Sequence, residues 1–84
     1  MKKFRLVISS PDGNIFDGEC ERIILRGVCG DLAVMAGHVP FITAVKPCKV
    51  KIENDEKEEF IAVDGGLLTV GGEKVTLLTG QAAL

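Results

Sequence analysis

The sequence predicts an all-β fold, an antiparallel β-sandwich of about nine or ten short strands in two sheets. Apolar and polar residues alternate with a period of two over most of the chain, as in strands with one buried face. Turn-forming residues recur at roughly the 8–12-residue spacing that is typical of sandwiches and barrels. No longer stretch has the 3.6-residue period of an amphipathic helix. The 84 residues are therefore expected to form one domain, residues 1–84.

Four strands are predicted in the first part of the chain. In the first of them, Phe4, Leu6 and Ile8 share one face, and Pro11-Asp12-Gly13 then forms a turn. In the third, Ile23 and Leu25 point inward between polar neighbours. These strands are Lys3–Ser9, Ile15–Phe16, Cys20–Arg26 and Leu32–Met35.

A bent loop is predicted at Gly37-His38-Val39-Pro40. Gly37 can take a positive φ at no steric cost. Val39 is pushed to an extended conformation because it precedes proline, and Pro40 fixes its own φ. The loop should therefore have a defined shape, with His38 held in its middle.

Five further strands are predicted after this loop. Asn54 to Lys57 forms a polar hairpin tip, and Gly65-Gly66 and Gly71-Gly72 are interpreted as tight hairpin turns. Neither glycine pair has the Lys-Ser/Thr and the helix that a phosphate-binding P-loop needs. The strands are Phe41–Val45, Cys48–Glu53, Phe60–Val63, Leu67–Val70 and Lys74–Thr79.

Composition disfavours nucleic acid and membrane lipid as partners. The net charge is −2 and the sequence pI is near 5.3, so no basic field attracts anionic polymers or lipids. No apolar run approaches the ~20 residues that span a bilayer. We therefore expect a soluble domain with no direct membrane insertion, which reaches a membrane only through a partner.

The reactive side chains give no positive sign of catalysis, and no cofactor or metal is expected. The three cysteines, Cys20, Cys29 and Cys48, are odd in number and lack CxxC spacing, which indicates buried or half-buried thiols in a reducing compartment. His38 is the only histidine, whereas a zinc site needs three or four ligands. A metal site that joins His38 to a cysteine and a carboxylate, as in a jelly-roll enzyme, requires the fold to bring them together.

Apolar residues exceed what one inward face requires. They mark either a surface for a protein partner or the ends of the core, and the sequence leaves both interpretations open. These residues are Val7, Val28, Val34, Val39, Phe41 and Ile42.

The stretch Gly27 to Pro47 reads GxxGxLxxxxGHxPxxTxxKP and resembles the epsilon subunit of F-type ATP synthases. The likeness continues in Ser10 to Gly13, Phe16 to Glu19, Gly65 to Val70 and Val75 to Leu78, and so covers nearly the whole chain in order. Four positions depart from that family's common residues, namely Cys29, Ala36, Cys48 and Asp64. The helical hairpin that usually follows the sandwich in that family is absent from this sequence.

The resemblance implies a non-catalytic subunit of the central stalk. Such a subunit couples the c-ring to the gamma subunit, and so couples proton or sodium flow to ATP synthesis. It would be peripheral on the cytoplasmic face of the bacterial plasma membrane. Asp31 would face the c-ring, and the gamma subunit would contact Ser10, His38, Val39, Phe41, Ile42 and Thr43. The alternative is a stand-alone β-sandwich interaction module whose partner adds a strand to a sheet edge.

Overall fold

The computed structural model describes residues 2–37, 39–55, 57–80 and 82–83. Every regular element in this part of the chain is a β-strand, which confirms the all-β prediction. The candidate site residue His38 lies outside the described residues. The strands are β1 (Phe4–Ser10), β2 (Gly13–Cys20), β3 (Arg22–Gly27), β4 (Gly30–Met35), β5 (Phe41–Asn54), β6 (Lys57–Val70), β7 (Lys74–Leu78) and β8 (Ala82–Ala83).

These eight strands are connected in one mixed sheet. Seven follow the order β2-β1-β7-β6-β5-β3-β4, and β8 pairs with β6 beside this path. β1 and β7 are parallel to each other, and the other strand pairs described are antiparallel. One connected sheet of eight strands with a parallel pair thus replaces the expected two antiparallel sheets of nine or ten strands.

The strand number is lower because β5 and β6 each replace two of the predicted strands. β5 runs through Lys46-Pro47 and β6 runs through Gly65-Gly66, which the sequence analysis took as breaks. The prediction of a hairpin turn at Gly65-Gly66 is therefore wrong. Proline has no backbone N–H to donate to a neighbouring strand. Pro47 is tolerated because the pairing of β3 with β5 is irregular at this point, so no regular hydrogen bond is lost.

The long β5–β6 hairpin changes its inward face along its length. In β5 the buried residue before the shift is Val45 and the next buried residue is Val50, and in β6 the buried residues on either side are Val63 and Leu68. Strict alternation would keep buried residues an even number of positions apart, so the inward face shifts by one residue in both strands. Such a shift marks a bend or bulge through which a strand turns around the core. The two ends of the hairpin therefore enclose one core from different sides.

A single cluster of mainly aliphatic side chains fills this core. Phe4 is its only aromatic member with a buried side chain, as expected for a chain without Trp or Tyr. Ile15, Phe16, Leu32 and Phe41 pack against it from partly exposed positions. The most deeply buried members are Leu6, Ile8, Cys20, Ile23, Val34, Val50, Ile61, Leu68 and Leu77.

The predicted turns at Pro11-Asp12-Gly13 and Gly71-Gly72 agree with the structure. Gly71 donates its backbone N–H to the carbonyl oxygen of Lys74 at 2.8 Å and closes the β6–β7 turn. Asp55 takes a φ of 57° at the tip between β5 and β6. No helix that is long and apolar enough to span a bilayer occurs among the residues described.

Candidate partner-binding face

One outer face of the sheet carries a strip of exposed apolar side chains. Directly paired residues on neighbouring strands place their side chains on the same face. Leu67 on β6 pairs with Ala44 on β5 and with Leu78 on β7, so these three residues form a row across the strands. Leu67 is 43% exposed and Leu78 is 51% exposed, and Ala44 is exposed beside them.

Ile42 extends this strip toward the start of β5. It lies two residues before Ala44, on the same face, and it is 66% exposed. Val28 adjoins the strip because its backbone N–H donates to the carbonyl oxygen of Ala44 at 3.1 Å. We call Ile42, Ala44, Leu67 and Leu78 the apolar strip.

The same face becomes polar toward β1 and β2. Thr69 pairs with Ile42 and with Thr76, and Ser9 pairs with Leu78, so hydroxyl groups border the strip. Beyond them, Val7 is buried outside the main core cluster, consistent with its position on the outer side of β1.

An ion pair occupies the far edge of this face. The Arg5 guanidinium donates two hydrogen bonds to Asp17, from Nε to Oδ1 at 3.0 Å and from Nη2 to Oδ2 at 2.9 Å. This hydrogen bonding to Arg5 holds the pKa of Asp17 below its ordinary value. The face therefore has an apolar end on β5–β7 and a charged end on β1–β2.

The outer face of β3, β4 and the second half of β5 has a different character. Lys51 Nζ lies 3.6 Å from Glu53 Oε1 and 3.4 Å from Glu58 Oε1, and Arg22 pairs with Glu53. The hydrogen bond from Arg22 lowers the pKa of Glu53. In the sheet, β5 and β3 lie between β6 and β4, so these charged side chains stand between the exposed Phe60 on β6 and strand β4. Phe60 is therefore not part of a continuous apolar surface on this face.

The residues predicted to contact the gamma subunit do not all lie on one face of the sheet. Ile42 lies in the apolar strip, and Val39, just before β5, is 77% exposed. Phe41 and Thr43 alternate to the opposite side of β5, where both are half-buried. Phe41 packs against the core, so it takes the second of the two roles that the sequence left open for the surplus apolar residues.

The surplus residues therefore divide between core and surface. Val34 is fully buried and Val7 nearly so, whereas Val28, Val39 and Ile42 are exposed. The core interpretation is confirmed for the buried subset, and a partner surface stays a prediction for the exposed subset.

Ser10 and Asp31 lie in strands, each beside a turn. Ser10 ends β1, and its Oγ accepts the backbone N–H of Asp12 at 3.3 Å. Asp31, on β4, accepts a hydrogen bond from Arg26 Nε at 2.9 Å, and both of these side chains are largely exposed. Ser9, just before Ser10, lies in the row of paired residues that runs through Leu78 and Leu67 to Ala44. The β3–β4 turn adjoins Ala44 at the other end of this row. The β1–β2 turn and the β3–β4 turn therefore lie at the same end of the sheet.

Sequence reasoning missed Leu67 and Leu78. Each belongs to a leucine doublet, Leu67-Leu68 and Leu77-Leu78, in which only one member is buried. Adjacent strand residues point to opposite faces, so a doublet requires one apolar side chain to face outward. This signal was present, but the pairing that joins the two outward leucines depends on the fold.

The cysteines have three different environments. Cys20 is buried, and desolvation raises the pKa of its thiol to about 11. Cys48 is half-buried, whereas Cys29 is exposed at the β3–β4 turn, so the expectation of buried or half-buried thiols is wrong for Cys29. Among the described residues, no group of three or more His, Cys, Asp or Glu side chains could hold a metal ion.

Residues 3–84 match the family described as the β-sandwich domain of the ATP synthase Delta/Epsilon chain. The ATP synthase epsilon chain of Brevibacillus brevis is 37% identical over 86 residues, which cover 100% of this chain and 64% of the relative. The epsilon chain of Bacillus velezensis is 37% identical over 83 residues, with 99% and 62% covered. The chain thus spans less than two thirds of the length of these relatives.

Two solved structures have the same fold. The Euglena gracilis mitochondrial ATP synthase structure of OSCP, F1 and c-ring contains a chain that matches with a TM-score of 0.90 and 23% identity, over 96% of this chain and 52% of that one. The central stalk and c-ring structure from Tetrahymena thermophila matches with a TM-score of 0.81 and 16% identity, over 98% and 66%. At these identities the likeness establishes the fold alone.

Proposed function

Because the chain belongs to the family of ATP synthase Delta/Epsilon chain β-sandwich domains, we propose that it is a non-catalytic rotor component of a bacterial F-type ATP synthase. In this role it joins the gamma subunit to the c-ring and so couples ion flow to ATP synthesis. It is peripheral on the cytoplasmic face of the plasma membrane and reaches the membrane through its partners.

The observation that supports this function is the apolar strip. Leu67, Leu78 and Ile42 expose aliphatic surface on adjacent strands of a folded sheet, and a contiguous patch of this kind marks a protein contact. Desolvating such side chains against a partner provides the favourable free energy of association. The polar border of Thr69, Thr76 and Ser9 fits the rim of an interface.

We assign the gamma subunit to this face and the c-ring to the turn end of the domain. Val39 and Ile42 are the members of the predicted gamma-contact set that offer exposed apolar surface. Phe41 acts from beneath, by packing the start of β5 against the core, and Thr43 is half-buried on the same side of β5. The predicted set as a whole is Ser10, His38, Val39, Phe41, Ile42 and Thr43.

Asp31 is the proposed contact to the c-ring. Its carboxylate is exposed on β4 and is paired with Arg26, so it can exchange this partner for polar groups of a c-ring loop. The domain transmits torque as a rigid body, because one connected sheet joins all the described strands and one core packs β1 to β7 together. No bond chemistry is required of it.

Co-purification tests the proposal directly. The affinity-tagged 84-residue chain is co-expressed with the gamma subunit and the c-ring of the synthase from the same genome. We expect the tagged chain to retain the gamma subunit in a one-to-one complex. Failure to retain the gamma subunit, with binding of short extended peptides instead, would favour the stand-alone interaction module.

A further inference from the structure

We propose that a groove between β3 and β5 binds the phosphate group of a small ligand through Arg26, Lys49 and Lys51. The groove lies on the outer face of β3 and the second half of β5, which is a different face from that of the apolar strip. Binding there requires no partner protein, so this inference is independent of the proposed function.

The groove opens where the pairing of β3 with β5 is interrupted. Ile24 on β3 pairs with Lys51 on β5. The next pair toward the β3–β4 turn is Gly27 with Val45, so β5 covers more residues than β3 between the two pairs. The extra residues of a bulged strand are left unpaired with their neighbour, and Pro47 among them has no N–H to donate. The two strands therefore part here, and a cavity of about 340 Å³ lies between them.

The lining of the groove is predominantly cationic. Arg26 on β3 and Lys49 and Lys51 on β5 line it. Asp31 is the only acidic residue among the described residues that do so. A concave surface with charges of one sign concentrates counter-ions within it. Because the whole chain has a net charge of −2, this attraction for anions is confined to the groove and is not a property of the whole surface.

Lys49 and Arg26 can contact a ligand at little cost. Lys49 is exposed, and it forms no ion pair within the part of the chain that the structure describes. Arg26 donates to Asp31 through Nε at 2.9 Å, which leaves the N–H groups of its other nitrogens for a ligand. Both members of this pair are largely exposed, and an exposed ion pair contributes little in water. The guanidinium can therefore turn toward a bound anion without a large loss.

Lys51 contributes charge to the groove while it holds two carboxylates. Its Nζ lies 3.6 Å from Glu53 Oε1 and 3.4 Å from Glu58 Oε1. An ammonium group has three N–H donors, so one remains when both carboxylates are bound. The two glutamates hold the ammonium group beside the groove, which reduces the side-chain entropy lost when a ligand binds.

This set of donors suits a phosphate group better than a carboxylate. A phosphate group has three acceptor oxygens and close to two negative charges, so each of the three cations can bind a different oxygen. A carboxylate offers two oxygens in one plane. The cavity volume is near the lower limit of small-molecule sites, which is about 300 Å³. The ligand is therefore a small soluble phosphate compound or a lipid headgroup, which share this chemistry.

Titration of the isotope-labelled 84-residue chain with sodium phosphate tests the proposal, with sodium chloride at the same pH and ionic strength as the reference. We expect saturable shifts of the amide resonances of Arg26 and of Cys48 to Lys51, and no saturable shifts with chloride. Absence of saturation, or shifts spread evenly over all lysines and arginines, would overturn the proposal.

A matched pair of lysine variants separates the groove from general charge. Lys49→Gln removes one cation of the groove, and Lys57→Gln removes an exposed lysine on β6 that does not line it. We expect Lys49→Gln to weaken phosphate binding about tenfold, because a hydrogen bond between charged groups is lost. Lys57→Gln should change it less than about twofold. Equal effects of the two variants, with folding verified by circular dichroism, would contradict the assignment.

Vesicles distinguish the two sources of the phosphate group. The wild-type chain and both lysine variants are sedimented with vesicles of phosphatidylcholine alone or of phosphatidylcholine and phosphatidylglycerol in equal amounts. Co-sedimentation with the mixed vesicles that is lost in Lys49→Gln and kept in Lys57→Gln assigns the groove to a lipid headgroup. Binding of phosphate in solution without co-sedimentation assigns it to a soluble phosphate compound. If neither phosphate nor vesicles bind in a manner that depends on Lys49, the proposed site is wrong, and the proposed function is unaffected.

Discussion

Gly66 lies directly against the backbone of Leu78, so that a Cβ atom added to Gly66 would be 2.0 Å from the Leu78 carbonyl oxygen. Gly66 also has a φ of 147°, which side-chain-bearing residues rarely adopt. This close approach sits where the β5–β6 hairpin bends, next to the Leu67–Leu78 pair of the apolar strip. The glycine therefore shapes the bend and the candidate interface together.

We expect Gly66→Ala to destabilise the domain by about 2–4 kcal/mol, because the new methyl group collides with backbone and the required φ is strained. Urea denaturation followed by circular dichroism measures the loss. If Gly66→Ala changed the free energy of unfolding by less than about 0.5 kcal/mol, the backbone near Leu78 would have to relax at little cost.

Gly72→Ala is the matched control. A Cβ at Gly72 meets no atom within 4 Å, and its φ is outside the left-handed region. We expect a change within about 0.5 kcal/mol, or a gain of about 0.4–1 kcal/mol from the lower entropy of the unfolded chain. Equal losses at Gly66 and Gly72 would contradict the steric explanation.

The sequence predicted the inward positions of β1 and β3 correctly. Leu6, Ile8 and Ile23 are fully buried, as their alternation with polar residues requires. It failed at Pro47 and Gly65-Gly66, which are usual strand breakers but here lie inside long strands. Pro47 fits inside a strand because it falls at an irregular part of the β3–β5 pairing. Gly65 and Gly66 fit because the strand bends there.

The candidate interface could be predicted only in part. The family resemblance pointed to Ile42, which the structure places on the outer face, and also to Phe41, which packs against the core. Strand alternation alone separates these two neighbours once the inward register is known. Leu67 and Leu78 are far apart in sequence, and only the register of β6 with β7 brings them together.

Ile42→Asp should separate binding from folding, whereas Phe41→Asp should affect both. Ile42 is 66% exposed, so a charge there remains hydrated in the isolated domain and is desolvated only in a complex. Phe41 packs against the core, and replacing it should lower the free energy of unfolding by roughly 2–4 kcal/mol. Denaturation curves combined with gamma-subunit binding check both statements, and normal binding by Ile42→Asp would remove this residue from the interface.

The three thiols should react in the order Cys29, Cys48 and Cys20. Cys29 is exposed, Cys48 is half-buried and Cys20 is fully buried. In a native-state assay with a chromogenic disulfide reagent near pH 8, we expect Cys29 to react fast and Cys20 only after unfolding. Replacing each cysteine by alanine in turn shows which part of the reaction time course belongs to which thiol. Rapid labelling of Cys20 in the folded domain would contradict its burial.

The raised pKa of Cys20 also predicts a loss of stability in alkali. Burial raises the pKa from its ordinary 9.0 to about 11, so the folded state favours the neutral thiol. This contribution is complete below pH 9 and is lost as the pH rises toward 11, because the unfolded chain ionises first. Cys20→Ala should remove this part of the pH dependence, which denaturation curves between pH 8 and 11 would reveal.

Reversing the charge of Asp31 should impair coupling and leave the fold nearly unchanged. In the isolated domain, Asp31→Arg loses the exposed pair with Arg26 and sets two cations together, at a cost of about 1 kcal/mol or less. In the assembled synthase, we expect ATP hydrolysis to continue while ion pumping falls, because the proposed c-ring contact is repelled. The exchange Arg26→Asp with Asp31→Arg rebuilds the pair in reverse and should restore stability but not coupling. Recovery of coupling in this double variant would show that Asp31 acts through its pairing with Arg26 and not through the c-ring.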